Sequence, residues 1–292
     1  MALYVLTSAS GSPGVSTVAT GLAYNWPRPV LLIDADPTGS SALLAGHFRG
    51  ELEPGPGLID LAVAAAEGHL DEAFPAAITK LPDSDVRFLA GIRSHEQAHS
   101  LRSLWPQLLD VLRRLDEAGQ DVVVDAGRLG LVGSPLELID RADVVVLVTR
   151  NSLVSLAGAR SWATGMRSRF AEHGGNSRLG MMIVDDVPRR VRAYGGGQVA
   201  RALQLPVIAN VPHNKDAAEV YSHGAAPLKS FESSSLVKAY AAAAEALRMV
   251  HAQTLDELAG REATRQDRIA AAARSLAGRG RATPLGNGAT HV

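Results

Sequence analysis

The sequence predicts an α/β fold, with a doubly wound, mostly parallel sheet flanked by helices. Short apolar segments rich in Val, Ile and Leu recur along the 292 residues, and segments with helical spacing separate them. Continuous apolar runs are typical of strands covered on both faces, and their alternation with helices is typical of parallel sheets. Ligands bind such sheets at the carboxyl ends of the strands. A functional site is therefore expected in the loops that follow the predicted strands.

The elements follow one another in a regular order. An apolar run that begins at Ala2 is the first predicted strand, and an Ala-rich helix from Ser16 to about Trp26 follows it. The other predicted strands are Val30–Ile33, Val86–Ala90, Asp121–Asp125, Asp143–Thr149, Leu179–Val184 and Val207–Val211. The other clear helical segments are Gly57–Glu67, Leu101–Ala118, Ser152–Glu172, Lys215–Gly224 and Ser234–Met249.

The loop between the first strand and the first helix has the composition of a phosphate site. Gly11 and Gly14 let the backbone approach an anion, and Ser16 and Thr17 open a helix whose N-terminus favours negative charge. A working P-loop ends in Gly-Lys-Ser/Thr, and its lysine contacts the β- and γ-phosphates. Val15 stands in that place here. The sequence therefore predicts a loop with the shape of a phosphate site but without its charge.

Composition narrows the class of protein. The formal net charge is -1, which gives no global attraction to nucleic acid or membranes. The chain has 0 cysteines, so disulfides and thiolate metal sites are excluded. No apolar run approaches the roughly 20 residues of a membrane span, and no basic region precedes the first apolar run as in a signal peptide. We expect a cytoplasmic protein without a transmembrane segment.

The composition changes after about Ala252. We predict a P-loop domain over 1–252, a helical extension over 253–277 that is rich in Ala, Arg and Glu, and a disordered tail over 278–292.

Acidic side chains end two of the predicted strands. Asp34 and Asp36 follow the second strand, and Asp125 ends the strand that begins at Asp121. An Asp in this position is either a cap or turn residue, or a ligand of a metal ion or water. Two Asp at i and i+2 can reach the same loop region, and Asp125 would hold a Mg²⁺-bound water in a phosphate-binding protein. Asp121 is expected at the surface.

Taken in order, these motifs resemble the ParA/MinD family of deviant-Walker P-loop ATPases. The likeness covers roughly Met1 to Val250. It implies a P-loop NTPase fold that binds ATP and Mg²⁺, with GTP a less favoured nucleotide. The segments that carry it are Gly-Ser-Pro-Gly-Val-Ser-Thr at 11–17, Leu-Ile-Asp-Ala-Asp-Pro at 32–37, Val-Val-Val-Asp-Ala-Gly at 122–127, Val145–Ser152 and Leu205–Ala218.

The resemblance implies roles for the first loop. Ser10 stands where the family has its signature lysine, and Val15 where it has its P-loop lysine. Ser16 would be a Mg²⁺ ligand, and Thr17 would contact the α-phosphate. The implied nucleotide-binding residues of the loop are Gly11, Ser12, Pro13, Gly14, Val15, Ser16 and Thr17.

The resemblance also implies roles for the acids. Asp36 would position the attacking water if the protein is an active enzyme, with Asp34 nearby, and Asp125 would hold the water on the metal. Together with Ser16, these three acids form the implied Mg²⁺ site.

The nucleobase would lie near the end of the sixth predicted strand. The family often has an Asn there that reads adenine, whereas this chain has Asp185 and Asp186. An Asp could instead accept hydrogen bonds from guanine, or it could cap a turn. Pro212 would pack on the base by the same resemblance.

The absence of both lysines leads to three hypotheses. Charge-assisted contacts to phosphate are about twice as strong as neutral ones, so the leading hypothesis is a degenerate member. This would be a pseudo-ATPase with weak or no hydrolysis that acts in positioning, partitioning or scaffolding of a cellular cargo. The first alternative is an active ATPase in chromosome or plasmid segregation or division-site placement, with Arg128, Arg150 or Lys215 as the substitute cation. The second is a Rossmann-type small-molecule binder, although the loop lacks Gly-x-Gly-x-x-Gly.

The implied partners are a second copy of the chain, in a homodimer, and a protein partner or cargo adaptor. Arg189, Arg190 and Arg192 belong to a basic, glycine-rich stretch. That stretch is either a non-specific contact to DNA phosphates or a solvated loop.

Overall fold

The computed structural model describes residues 1–115, 119–172, 175–185 and 193–279. The chain divides into two compact units, Met1–His251 and Ala252–Val292. The first holds a sheet with its flanking helices, and the described part of the second is helical. The domain boundaries predicted at 252 and 277 remain predictions. The predicted disordered tail also remains a prediction, and its residues 280–292 lie outside the described residues.

An eight-stranded sheet forms the centre of the first unit. Its strands lie in the order β3-β4-β2-β5-β1-β6-β7-β8, and every neighbouring pair is parallel except β3 and β4. The seven predicted strands are confirmed, and β3 was not predicted because its three residues, Ile-Thr-Lys, give no apolar run. The strands are β1 (Leu3–Ser8), β2 (Val30–Asp34), β3 (Ile78–Lys80), β4 (Arg87–Leu89), β5 (Asp121–Arg128), β6 (Val144–Arg150), β7 (Leu179–Val184) and β8 (Val207–Val211).

Helices connect the strands. They are α1 (Val15–Tyr24), α2 (Leu58–Ala66), α3 (Leu70–Ala77), α4 (Leu104–Arg113), α5 (Leu136–Arg141), α6 (Leu153–Glu172), α7 (Gly196–Leu203), α8 (Lys215–His223) and α9 (Ser235–Arg279). A π-helix covers Ala42–His47, and short 3₁₀ helices cover His95–Leu101 and Asn176–Arg178.

The predicted helices are present, with three differences. Within the segment predicted as Leu101–Ala118, α4 covers Leu104–Arg113 and begins later than predicted because a 3₁₀ turn precedes it, while residues 116–118 lie outside the described residues. α3, α5 and α7 are missed, since they are short and α3 contains Pro75. The segments predicted separately on either side of 252 form the single helix α9.

The sheet separates two apolar cores. Side chains of β1 alternate between them, with Leu3 and Val5 in one core and Tyr4 and Leu6 in the other, as the period of a strand requires. Helices α2 to α7 contribute to the first core, whereas α1, α8 and the start of α9 contribute to the second. The helices therefore lie on both faces, which confirms the predicted fold class.

The direction in which the chain adds strands to the sheet reverses at β1. The chain moves from β1 to β2 and β4 on one side, returns through β5, and builds the other side with β6, β7 and β8. Crevices at such a point are where ligands bind in open α/β sheets. The carboxyl ends of β1, β2, β5 and β6 therefore frame the candidate site.

Asp121, at the amino end of β5, is buried and not at the surface as predicted. Asp121 is 1% exposed, and its carboxylate accepts hydrogen bonds from the Ala2 N–H at 3.0 Å and from the Trp26 indole at 3.1 Å. The expectation of a surface position was wrong, because Trp26 and the start of β1 close over the beginning of β5. Asp121 satisfies buried donors there.

Candidate functional site

The loop between β1 and α1, here called the glycine loop (Ala9–Gly14), curls tightly before the helix. Gly11 and Gly14 have φ of 78° and 84°, which glycine adopts without strain, and Ser12 between them has φ of 42°. α1 begins at Val15, and its first turn contains no acidic side chain. The first N–H groups of a helix have no acceptor within it and favour an anion. The loop therefore has the backbone form of a phosphate site.

The two positions that would hold the family's lysines are packed against protein. Val15 is 7% exposed and belongs to the core that also contains Val18 and Leu22 of the same helix. Ser10 lies against α6, where any side chain at Gly158 would collide with its hydroxyl. Neither side chain therefore offers a polar group to a ligand bound at the glycine loop.

Three carboxylates, here called the carboxylate cluster (Asp34, Asp36 and Asp125), lie beside the glycine loop. Asp34 and Asp125 are direct neighbours in the register of β2 and β5. The Asp34 carboxylate accepts the N–H of Asp36 at 3.3 Å, and Asp125 accepts the N–H of Gly127 at 3.0 Å. A side chain at Gly127 would overlap the Asp36 carboxylate, so glycine is needed there. The structure thus brings the three predicted acids together.

The carboxylate cluster is electrostatically strained. Burial and the charge of Asp125 raise the pKa of Asp34 from 3.8 to about 7. Burial also raises the pKa of Asp125 from 3.8 to about 6, with a further contribution from Asp36. The Ser16 hydroxyl opposes that shift by a hydrogen bond to Asp125, so the first turn of α1 meets the cluster. A cation bound here would relieve the repulsion.

The donor set fits a magnesium ion that keeps its waters. The groups at the site are a hydroxyl and carboxylates, which are the hard oxygen ligands that Mg²⁺ prefers. Among the residues that the structure describes, no group of three His, Cys, Asp or Glu side chains could hold a metal directly. Ser16 is therefore the natural direct ligand, with the acids acting through water.

The raised pKa values predict how stability depends on pH. Between about pH 4 and pH 7 the folded chain binds more protons at Asp34 and Asp125 than the unfolded chain, so stability is lost as pH rises through that range. We expect the free energy of unfolding, measured with denaturant in EDTA, to fall by about 1 to 3 kcal/mol more in the wild type than in Asp34→Asn between about pH 5 and pH 8. Parallel profiles for the two proteins would contradict this.

A cavity of about 520 Å³ lies at the carboxyl ends of β6, β7 and β8. Both residues predicted to contact a nucleobase, Asp185 and Pro212, line it. Asn151 lines it too and donates from Nδ2 to the Asp185 carboxylate at 2.7 Å. Asp186, the other acid named for this place, lies outside the described residues. The volume is within the range of small-ligand sites.

Of the proposed substitute cations, Arg150 approaches the glycine loop most directly. Its guanidinium donates to the Ser12 carbonyl at 3.0 Å. Lys215 is exposed and pairs with Glu219 on α8 at 3.7 Å. Arg128 is exposed at the end of β5. The basic stretch Arg189–Arg192 lies outside the described residues, so its two interpretations stay open.

The sequence alone did not assign Asn151 to the site. It named Arg150 as a possible cation but did not predict its contact with the glycine loop. Both follow the apolar run of β6, so their position at a strand end was the available signal.

No helix in the described ranges, 1–115, 119–172, 175–185 and 193–279, combines the length and apolar character needed to cross a membrane.

The chain was compared with protein families, curated proteins and solved structures. No protein-family model and no curated protein matches the sequence. Solved structures do match: the cell division ATPase MinD of Pyrococcus furiosus shares 21% identity with a TM-score of 0.66, covering 86% of this chain and 100% of that one. Apo McdA of Cyanothece shares 20% identity with a TM-score of 0.63, covering 85% and 99%.

A ParA-family ATPase of Chlorobium tepidum is also similar, with 18% identity and a TM-score of 0.62, covering 83% of this chain and 99% of that one. At these identities the likeness concerns architecture, and it agrees with the strand order and the parallel sheet. The chain has the P-loop NTPase fold of the MinD and ParA ATPases.

Proposed function

We propose that this protein is a nucleotide-binding member of the ParA/MinD family. The phosphates would lie over Gly11–Thr17, and the base would enter the 520 Å³ cavity beside Asp185 and Pro212. The observation that carries the proposal is the meeting of the glycine loop, Ser16 and the carboxylate cluster at one crevice. A glycine loop alone is a weak signal, but a hydroxyl and buried acids beside it are the parts of a magnesium–phosphate site.

Magnesium fits this arrangement. When bound, Mg²⁺ would neutralise phosphate charge, with Ser16 as its protein ligand. Asp34 and Asp125 would orient its waters, and Asp36 would position an attacking water if hydrolysis occurs. Among the structural neighbours, MinD of Pyrococcus horikoshii is described in complex with Mg-ADP, and a McdA variant of Cyanothece in complex with ATP.

We infer that ATP hydrolysis is weak or absent. Val15 and Ser10 provide no positive charge, and both are packed against neighbouring residues. Removing a charged contact from a phosphoryl-transfer site costs several kcal/mol of transition-state stabilisation. Backbone N–H groups and the start of α1 would remain to hold phosphate. ATP is favoured over GTP because the neighbours with a described nucleotide bind adenine nucleotides.

The cellular role we propose is positioning, partitioning or scaffolding of a cargo in the cytoplasm. The neighbours include cell division and ParA-family ATPases, and one is a complex of MinD with MinC. By this analogy the chain would act as a homodimer with a protein partner or cargo adaptor. Non-specific contact with DNA through Arg189, Arg190 and Arg192 belongs to the same proposal.

One observation favours the alternative of an active ATPase. The Arg150 guanidinium already contacts the glycine loop through the Ser12 carbonyl, and a guanidinium can stabilise charge on a γ-phosphate. In this case Arg150, from the same chain, would replace the missing lysine.

A nucleotide titration separates these hypotheses. We expect saturable binding of ATP and ADP that requires Mg²⁺, weaker binding of GTP, and phosphate release near background. Turnover that is lost in Arg150→Met and in Asp36→Ala, but kept in the exposed control Arg160→Met, would establish the active alternative. Binding of NAD without binding of any nucleoside phosphate would overturn the proposal in favour of a Rossmann-type binder.

A further inference from the structure

A separate cavity of about 340 Å³ lies at the amino ends of the parallel strands, at the edge of the sheet opposite the glycine loop. Leu31 near the start of β2 and Arg87 at the start of β4 line it. Its apolar walls come from Leu31, Phe74 and Pro75 of α3, Ile78 of β3 and Leu115. Its volume is at the lower end of the range of small-molecule sites.

Two polar side chains of this cavity, those of Arg87 and Gln120, contact each other. Gln120 is 3% exposed, and its Oε1 accepts from the Arg87 guanidinium at 3.3 Å. Its Nε2 is buried and has no hydrogen-bond partner within the described part of the chain. A buried donor left unpaired costs about 1 to 3 kcal/mol, so such groups call for an explanation.

The positive charge of Arg87 also favours an anionic ligand in this cavity. Across the described residues, the structure records no carboxylate paired with Arg87. Lys80, also on the wall, is engaged by the exposed Asp85 at 3.0 Å. A guanidinium and an amide N–H therefore lie together in a chamber whose remaining walls, apart from Lys80, are apolar. A carboxylate is the group whose geometry matches a guanidinium with a second donor beside it.

We propose that this cavity binds a small monocarboxylate with a short apolar chain. The carboxylate accepts hydrogen bonds from Arg87 and from Gln120 Nε2, and the chain packs against Phe74, Ile78 and Leu115. One guanidinium suits a single negative charge, and the apolar walls exclude a polar or polyphosphate ligand. This site lies at the opposite edge of the sheet from the proposed nucleotide site and does not depend on it.

Octanoate tests the proposal with the full-length protein. We expect saturable binding at one site by calorimetry, with acetate and 1-octanol at least about tenfold weaker, because each lacks one half of the recognised chemistry. Arg87→Met is expected to weaken octanoate binding by about tenfold or more, since it keeps the aliphatic stem and removes the charge. The exposed Arg102→Met is the matched control and should leave the affinity unchanged.

A second variant keeps the test independent of the charged group. Ile78→Phe fills the chamber from an apolar position and keeps both Arg87 and Gln120, and it should reduce octanoate binding to a similar extent. Saturating MgATP should leave the octanoate affinity unchanged. The proposal is overturned if octanoate does not bind the wild type, if Arg87→Met binds it equally well, or if 1-octanol binds as tightly as octanoate.

Discussion

A Val15→Lys variant is expected to bind MgATP about tenfold more tightly than the wild type, or better, because one charged hydrogen bond to phosphate contributes about 1.5 to 3 kcal/mol. Val15 is the first residue of α1, directly after the glycine loop, and its side chain now packs into a core. The aliphatic stem of a lysine can pack at the edge of this core while its ammonium group extends to the surface of the glycine loop. Calorimetric titration of both proteins measures the change.

The control for this prediction is Val15→Met, which has a similar unbranched stem without charge. It should bind MgATP no better than the wild type, and both variants should unfold at somewhat lower denaturant concentration, because the core around Val18 is well filled. Equal affinities for the lysine and methionine variants would show that position 15 does not face a bound phosphate.

Asp125→Asn is expected to stabilise the metal-free protein and to remove its response to Mg²⁺. Asparagine keeps the size of the side chain and an oxygen that can accept the Gly127 N–H, while it removes a charge that is buried beside Asp34 and Asp36. At about pH 8 in EDTA we expect a gain of about 1 to 3 kcal/mol in the free energy of unfolding. Added Mg²⁺ with ADP should stabilise the wild type and leave the variant unchanged.

The matched control is Asp110→Asn on α4, where the carboxylate is exposed and only weakly paired with Arg113 at 3.8 Å. This change should shift the free energy of unfolding by no more than about 0.5 kcal/mol and leave the Mg²⁺ response intact. If Asp125→Asn is less stable than the wild type and still responds to Mg²⁺, the repulsion within the carboxylate cluster is not what limits stability.

Much of the fold could be predicted because its signals are local. An apolar run such as Val122–Val124 identifies a buried strand by itself, although β5 continues past the predicted end at Asp125 to Arg128. The three-residue strand β3 and the short helix α3 gave no such signal. Asp121 has the same chemical character as Asp125, yet only the tertiary structure shows that Trp26 closes over it.

The candidate site depended on pairings between distant segments. That Asp34 lies opposite Asp125 follows from the register of β2 with β5, strands that are not consecutive in the chain. The contact of Arg150 with Ser12 joins residues 138 positions apart, and no pattern in the sequence predicts it. The resemblance indicated that Val15 replaces a lysine, but that its side chain packs into a core could be seen only in three dimensions.

The most direct test of the nucleotide site is a crystal structure grown with ADP and Mn²⁺, in which anomalous scattering locates the metal. We predict a diphosphate over Gly11–Thr17 and one manganese peak beside the Ser16 hydroxyl, with the carboxylates of Asp34 and Asp125 within reach of its waters. A glycine loop without phosphate at saturating ADP, or manganese bound only elsewhere on the chain, would contradict the proposed site.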